Sequence, residues 1–258
     1  MTSAESMLWK WAIALAGLAV AMPGCQSSSL APPNVLVSPY DTAQGEALWA
    51  VVPLINESGT TILESDAISD AVVRAAQQIE GIRCLPLNRT LAEMRGLGML
   101  SVSSPEEASA LAARLGVNGL IVGTISDYNS YEPPTLGLSL VLETGESFVE
   151  PGGLSLDGLR GGVSATSAGE TGATARFAER PVASMSAVFD GRNHATQMEI
   201  RRYARGRHEA GSARGWQTYL SSMPLFTEFA AHAAVSRLLD EERLRLARQR
   251  VPQQVSSR

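Results

Sequence analysis

Cysteine is nearly absent from this chain of 258 residues, which carries two, Cys25 and Cys84. They cannot build a disulfide framework, so the fold must rest on a buried apolar core. Histidine is almost as scarce, and His194, His208 and His232 share no ligand spacing of the HExxH kind, which argues against a metal site. Lysine occurs once, at Lys10, so every other full cation is an arginine. No apolar run approaches the roughly 20 residues that a membrane-spanning helix needs. The formal net charge of −5 argues against a nucleic-acid binder. Catalytic signatures are missing too. No GxSxG elbow occurs, and Gly158, Gly161 and Gly162 are not followed by the Lys-Ser/Thr of a phosphate loop. The sequence predicts no enzyme and no cofactor.

What is present begins with an address. Residues Trp11–Cys25 read WAIALAGLAVAMPGC, a short apolar run after Lys10 that stops at Pro23-Gly24-Cys25. A run of about ten residues suits the core of a secretory signal and is too short to span a bilayer. The end of the run resembles a bacterial lipobox, in which Cys25 is diacylated and becomes the first mature residue. Met22 and Pro23 depart from that pattern, which favours Leu and a small residue there. Gln26, in place of Asp, resembles lipoproteins sorted to the outer membrane. Residues 1–24 are therefore expected to be a signal peptide. Ser/Pro-rich residues 25–44 are expected to be a flexible tether between a membrane anchor and a periplasmic domain.

From 45 to 223 the pattern predicts an α/β domain, a mixed sheet flanked by helices. Leu48–Leu54 is a continuous apolar run, as in a strand covered on both faces. Ile68, Ala71, Val72, Ala75 and Ile79 recur at helical spacing, with Gly81 placed to cap the helix. Ile82–Leu87 reads as a second strand and Thr90–Arg95 as a short helix. Ser104-Pro105-Glu106-Glu107 carries a capping hydroxyl, a proline at the first helical position and a glutamate three residues after the cap. The helix it opens ends at Gly116, before a strand over Leu120–Ile125.

Leu136, Leu138, Leu140 and Leu142 then alternate with smaller residues, predicting a half-exposed antiparallel strand. Met185–Phe189 is its expected partner, and a helix is expected over His194–Arg205. Between them, residues 145–180 are Gly/Ser/Thr-rich and predict a long disordered insertion. Pro224 opens a long C-terminal helix and tail, residues 224–258. Its first half carries Phe226, Phe229, Ala233, Leu238 and Leu239, and Asp240–Arg250 is expected to project beyond the domain.

Charge is spread unevenly. Residues 26–180 hold 8 Arg against 18 acids, whereas residues 181–258 hold 12 Arg against 7. The basic C-terminal part reads either as a surface for a partner or lipid, or as a solvated helix. Two sets of residues are therefore candidates for a partner surface. Asn56 and Glu57 leave the first strand at the edge where Tyr128 and Tyr131 follow the third. Arg243, Arg245 and Arg248 line the projecting end of the last helix. Cys84, within an apolar run, is expected to be a buried inert thiol.

Trp49–Leu54, Ser58-Gly59, Cys84-Leu85-Pro86 and Ala112–Ile125 (AARLGVNGLIVGTI) together resemble a known superfamily. It comprises the curli-secretion (CsgG-like) and penicillin-binding-protein-activator lipoproteins, similar in fold to the TolB amino-terminal domain. The usual Leu-Gly-Ala/Val-Asp block carries Asn118 here in place of Asp. The resemblance implies an outer-membrane-anchored periplasmic lipoprotein with envelope proteins as partners and no catalytic site. Its machine would serve secretion, peptidoglycan synthesis or the flagellum. A ring-forming, homo-oligomeric subunit of a secretion channel is the alternative, and an envelope hydrolase comes third. The channels of that group insert β-hairpins into the membrane. Here Leu136–Leu142 is short for a spanning strand, and Gly161–Thr174 offers almost no large apolar residues to lipid, so a pore is disfavoured.

Overall fold

The computed structural model describes residues 35–41, 45–144, 183–207 and 213–250. The leader, Cys25 and the expected insertion at 145–180 lie outside the described residues. In chain order the strands and helices begin with β1 (Leu36–Val37), β2 (Ala47–Val51), β3 (Ile55–Asn56), α1 (Ser65–Gln77), β4 (Ile79–Glu80) and β5 (Ile82–Cys84). They continue with α2 (Leu87–Gly96), α3 (Pro105–Leu115), β6 (Gly119–Asn129), β7 (Thr135–Thr144) and β8 (Ala183–Asp190). The last are α4 (His194–Ala204), a 3-10 turn over Gly215–Leu220, and α5 (Met223–Arg250).

Among the described residues the main sheet runs β5-β2-β6-β7-β8, with β3 also pairing to β6. Strands β5, β2, β3 and β6 are parallel, and β7 and β8 add antiparallel. The alternation of β2 and β6 divides the interior in two. Trp49, Val51, Ile121 and Ile125 face one side with Leu136, Leu138, Leu140 and Leu142, packed with residues of α1 and α5. Ala50, Val52, Leu120 and Val122 face the other, with Met94 of α2 and Ala108 and Leu111 of α3. Each fully buried leucine on these faces contributes roughly 1.5–3 kcal/mol. The mixed, helix-flanked sheet expected from the sequence is the sheet observed.

Local chemistry explains the element ends. At α3 the Ser104 hydroxyl accepts from the Glu107 N–H at 3.2 Å, and the Glu107 carboxylate accepts from the Ser103 N–H at 2.7 Å. Gly116 closes that helix at φ +66°, a left-handed conformation that favours glycine. Ser69, fully buried in α1, donates to the Ser65 carbonyl and accepts from the Leu54 N–H, fastening the helix to the chain leaving β2. Asn118 holds the start of β2 on both sides. Its N–H donates to the Leu48 carbonyl at 2.7 Å, and its side-chain oxygen accepts from the Leu48 N–H at 2.9 Å. An acceptor is what this position requires, and Asn supplies one as Asp would.

Several boundaries differ from expectation. Gly81 does not cap α1, which ends at Gln77 with Gln78 as its cap; Gly81 turns the chain between β4 and β5. Strand β5 stops at Cys84, because Pro86 starts a helix that runs from Leu87, earlier than expected. Strand β7 is not half-exposed. Thr135, Ser139 and Val141 are buried as completely as the leucines between them. Val141 packs on the second face into the cluster beneath α2 and α3, and elsewhere small side chains lie close against both neighbouring strands. Ser139 shares a 2.8 Å hydrogen bond with Ser186 of β8, and a side chain at Gly137 would meet the Ser126 hydroxyl of β6 at 2.4 Å. Strands β1 and β4, two residues each, pair parallel as a small separate sheet that the sequence pattern does not announce.

Candidate partner-binding surface

The parallel strands end on one edge, where β3 with Asn56 and Glu57 lies beside the strand that carries Tyr128. Strand β3 pairs with Thr124–Ile125 of β6, and the Glu57 N–H donates to the Ile125 carbonyl. Asn56 shapes the loop that follows. Its side-chain oxygen accepts from the N–H and hydroxyl of Ser58, and its side-chain nitrogen donates to the Thr60 carbonyl at 2.7 Å. Asn56 is therefore occupied in building the loop, whereas Glu57 is exposed at its tip.

The loop runs on into Ile62 and Leu63, which with Ile68, Tyr128, Met223 and Pro224 line a cleft of about 320 Å³. Tyr128 thus comes from the strand edge, Ile68 from the first turns of α1, and Met223 and Pro224 from the start of α5. The rim is charged: Arg74 and Glu228 pair across it at 3.9 Å. Ile62 is 80% exposed, an unusual state for an isoleucine beside an apolar concavity. Tyr131 sits apart in the β6–β7 turn, 82% exposed, with its N–H donated to the Asn129 side chain.

The second set divides. Arg245 does not project. Its guanidinium grips the carboxylate of Glu242 through two hydrogen bonds of 2.6 Å, with the two side chains 13% and 0% exposed. The Tyr40 hydroxyl donates to the same carboxylate at 3.0 Å, and its ring packs edge-on against Trp49, 6.2 Å between centroids. Burial, reinforced by the adjacent Glu242 carboxylate, holds the Tyr40 phenol well above its usual pKa. Arg243 bonds Asp240 and the Val37 carbonyl, each at 2.6 Å. Arg248 is exposed.

The expectation that Asp240–Arg250 extends freely therefore fails over its first half. Residues 35–41, within the expected tether, form a strap that bonds to α5 through Tyr40 and Val37 and packs on Trp49. Tyr40 and Glu242 are the residues that the pattern reading missed. Position 242 lies four residues after Leu238 and three after Leu239, on the buried stripe of the helix, and that spacing was the signal available. Val35–Val37, a β-branched and apolar run within the Ser/Pro segment, was the corresponding signal for the strap.

Elsewhere, Cys84 is buried and its thiol is pushed up to about 12 by that burial, leaving almost no thiolate at neutral pH. Among the described residues no cluster of His, Cys, Asp and Glu is arranged to hold a metal ion. Among them, too, no helix is long and apolar enough to cross a membrane.

No family model and no curated protein matches this chain. Among solved structures it is similar to the C-terminal domain of LpoB from Salmonella enterica, with a TM-score of 0.34 and 11% identity over 45% of this chain and 79% of that one. It is also similar to a lipoprotein from Neisseria meningitidis, with a TM-score of 0.31 and 18% identity over 38% of this chain and 72% of that one. For a PelC dodecamer from Paraburkholderia phytofirmans the values are 0.26 and 13%, over 44% and 67%. No family assignment follows from likenesses of this size.

Proposed function

We propose that the protein is a lipid-anchored periplasmic lipoprotein of the bacterial outer membrane and a non-enzymatic partner in an envelope machine. It would assist assembly or regulation in secretion, peptidoglycan synthesis or the flagellum. The leader ending at Gly24-Cys25 supports the address. The observation that carries the partner role is the cleft beside Tyr128, whose apolar patch of Leu63, Ile68, Met223 and Pro224 is bordered by Glu64, Arg74 and Glu228, with Ile62 held out at its rim. A cleft lined from three elements and edged by an exposed isoleucine suits an apolar anchor side chain of another protein.

Affinity purification from solubilised membranes, comparing the wild type with Ile62→Asp, tests this reading. Ile62 makes no core contact, so the variant is expected to fold normally. Recovery of the co-purifying envelope partner should fall by about tenfold or more, the weight of an apolar hot spot. Leu100→Asp serves as the control, because Leu100 is fully exposed on the connection between α2 and α3. Equal recovery with Ile62→Asp and wild type would contradict the assignment.

A further inference from the structure

A second concavity, of about 370 Å³, lies between α4 and α5 and is independent of the cleft beside Tyr128. Arg202, Tyr203 and Glu199 line it from α4, Arg207 from the turn that follows, and His232, Ser236, Arg237 and Asp240 from α5. Its charges are unequally satisfied. Glu199 is gripped by Arg237 through bonds of 2.9 and 3.0 Å, while that guanidinium also lies over the Phe189 ring at 4.9 Å. Asp240 is held by Arg243 at 2.6 Å. Both carboxylates that line the cleft are thus taken.

The remaining cations have no such counterpart. Arg207 stacks over the Tyr203 ring at 4.1 Å and donates to the Tyr203 carbonyl and the Gln78 side-chain oxygen, both uncharged acceptors. Arg202 is exposed and has no partner among the described residues, and neither has the Ser236 hydroxyl. Nε2 of His232 is enclosed without a hydrogen-bond partner, and its ring sits 4.9 Å from Tyr203. Burial, and then the nearby Arg207 charge, lower the His232 pKa to about 4, so the ring is neutral at physiological pH. Burial alone disfavours any charge there, but the Arg207 charge, the smaller of the two causes, is one that an anion would offset.

We propose that this cleft is a binding site for a phosphate-bearing ligand, held by Arg202 and Arg207 with the Ser236 hydroxyl as a further donor. Two guanidinium groups and a hydroxyl lining one cleft suit an oxyanion with several acceptor oxygens, which a tetrahedral phosphate provides. The Tyr203 ring beneath Arg207, itself packed by Tyr219, Phe229 and His232, holds that guanidinium in place. The phosphate could belong to a soluble ester or to a phospholipid headgroup, since the chemistry of recognition is the same.

The imidazole of His232 reports on the site, and its resonances can be followed by NMR in the full chain between pH 3 and 7. Saturating inorganic phosphate is expected to raise the apparent His232 pKa by about one pH unit, as an anion placed near a histidine does. Sodium chloride at the same ionic strength should leave it in place, and the phosphate-dependent shift should vanish in Arg202→Gln/Arg207→Gln. An equal shift in chloride, or one that survives the double substitution, would overturn the proposal. Glycerol phosphate and phosphatidylglycerol vesicles then separate the sources. Arginine-dependent binding to either supports the site and identifies its ligand form, and binding to neither overturns it.

Discussion

Replacing Glu242 with leucine is expected to remove about 3–5 kcal/mol of folding stability, the cost of stranding one member of a buried ion pair. The carboxylate is completely enclosed and accepts from Arg245 twice and from Tyr40 once. Without it, the Arg245 guanidinium keeps its charge in a site 13% exposed, and the Tyr40 hydroxyl loses its acceptor. For a domain of this size that is a fall in melting temperature on the order of 10 °C. The test of mechanism is the double replacement Glu242→Met/Arg245→Met. It should recover most of the loss, because two apolar side chains of similar volume leave no charge buried. Tyr40→Phe should cost less, about 1–2 kcal/mol, by removing one hydrogen bond to a charged group. Thermal unfolding of the four proteins measures all of this. A Glu242→Leu variant that melts with the wild type would show that the strap does not hold the helix.

The second large effect is expected at Gly123, inside β6. A Cβ there would lie 2.3 Å from the Ser139 carbonyl oxygen and 2.8 Å from the Leu140 side chain, with Leu54 at 3.2 Å on the third side. The first obstacle is backbone of the paired strand, which cannot swing aside as a side chain end can. Gly123→Ala must therefore spread β6 from β7 around the Gly123–Leu140 pair, at a cost of about 3 kcal/mol or more. Denaturant midpoints check this against Gly96→Ala, where a Cβ meets nothing within 4 Å and α2 should be unharmed or slightly strengthened. Equal midpoints for the two variants would contradict the close approach of β6 and β7.

These two sites also show how far the sequence could be read. The run Leu120–Ile125 announces a strand because it is largely apolar, and Ser104-Pro105-Glu107 announces a helix because capping chemistry is local. The need for glycine at 123 is different in kind. It depends on the carbonyl of Ser139, which only the sheet register brings near, and no local pattern encodes that meeting. The same holds for the Tyr40–Glu242 bond, which joins residues at nearly opposite ends of the described chain. Tyr40 is hidden by Ser/Pro composition that ordinarily marks a tether, and Glu242 by its neighbour Glu241, which is exposed. Of the residues that line the cleft, Tyr128 can be placed at the strand edge from the order of elements. Ile62 and the start of α5 cannot, because the cleft forms only when the long helix folds back across the first. The arginines of α5 are close in sequence but part in the structure, and their directions follow from the strap, which no local pattern encodes.

The central claim, an envelope lipoprotein held to the membrane by its first mature residue, is tested most directly by mass spectrometry of the mature amino terminus. The account predicts a chain beginning at Cys25 with the added mass of its acyl chains. It also predicts that a Cys25→Ser variant lacks that mass and leaves the outer-membrane fraction, since stable anchoring requires more than one chain. A wild-type terminus without lipid, together with unchanged membrane retention of Cys25→Ser, would contradict it.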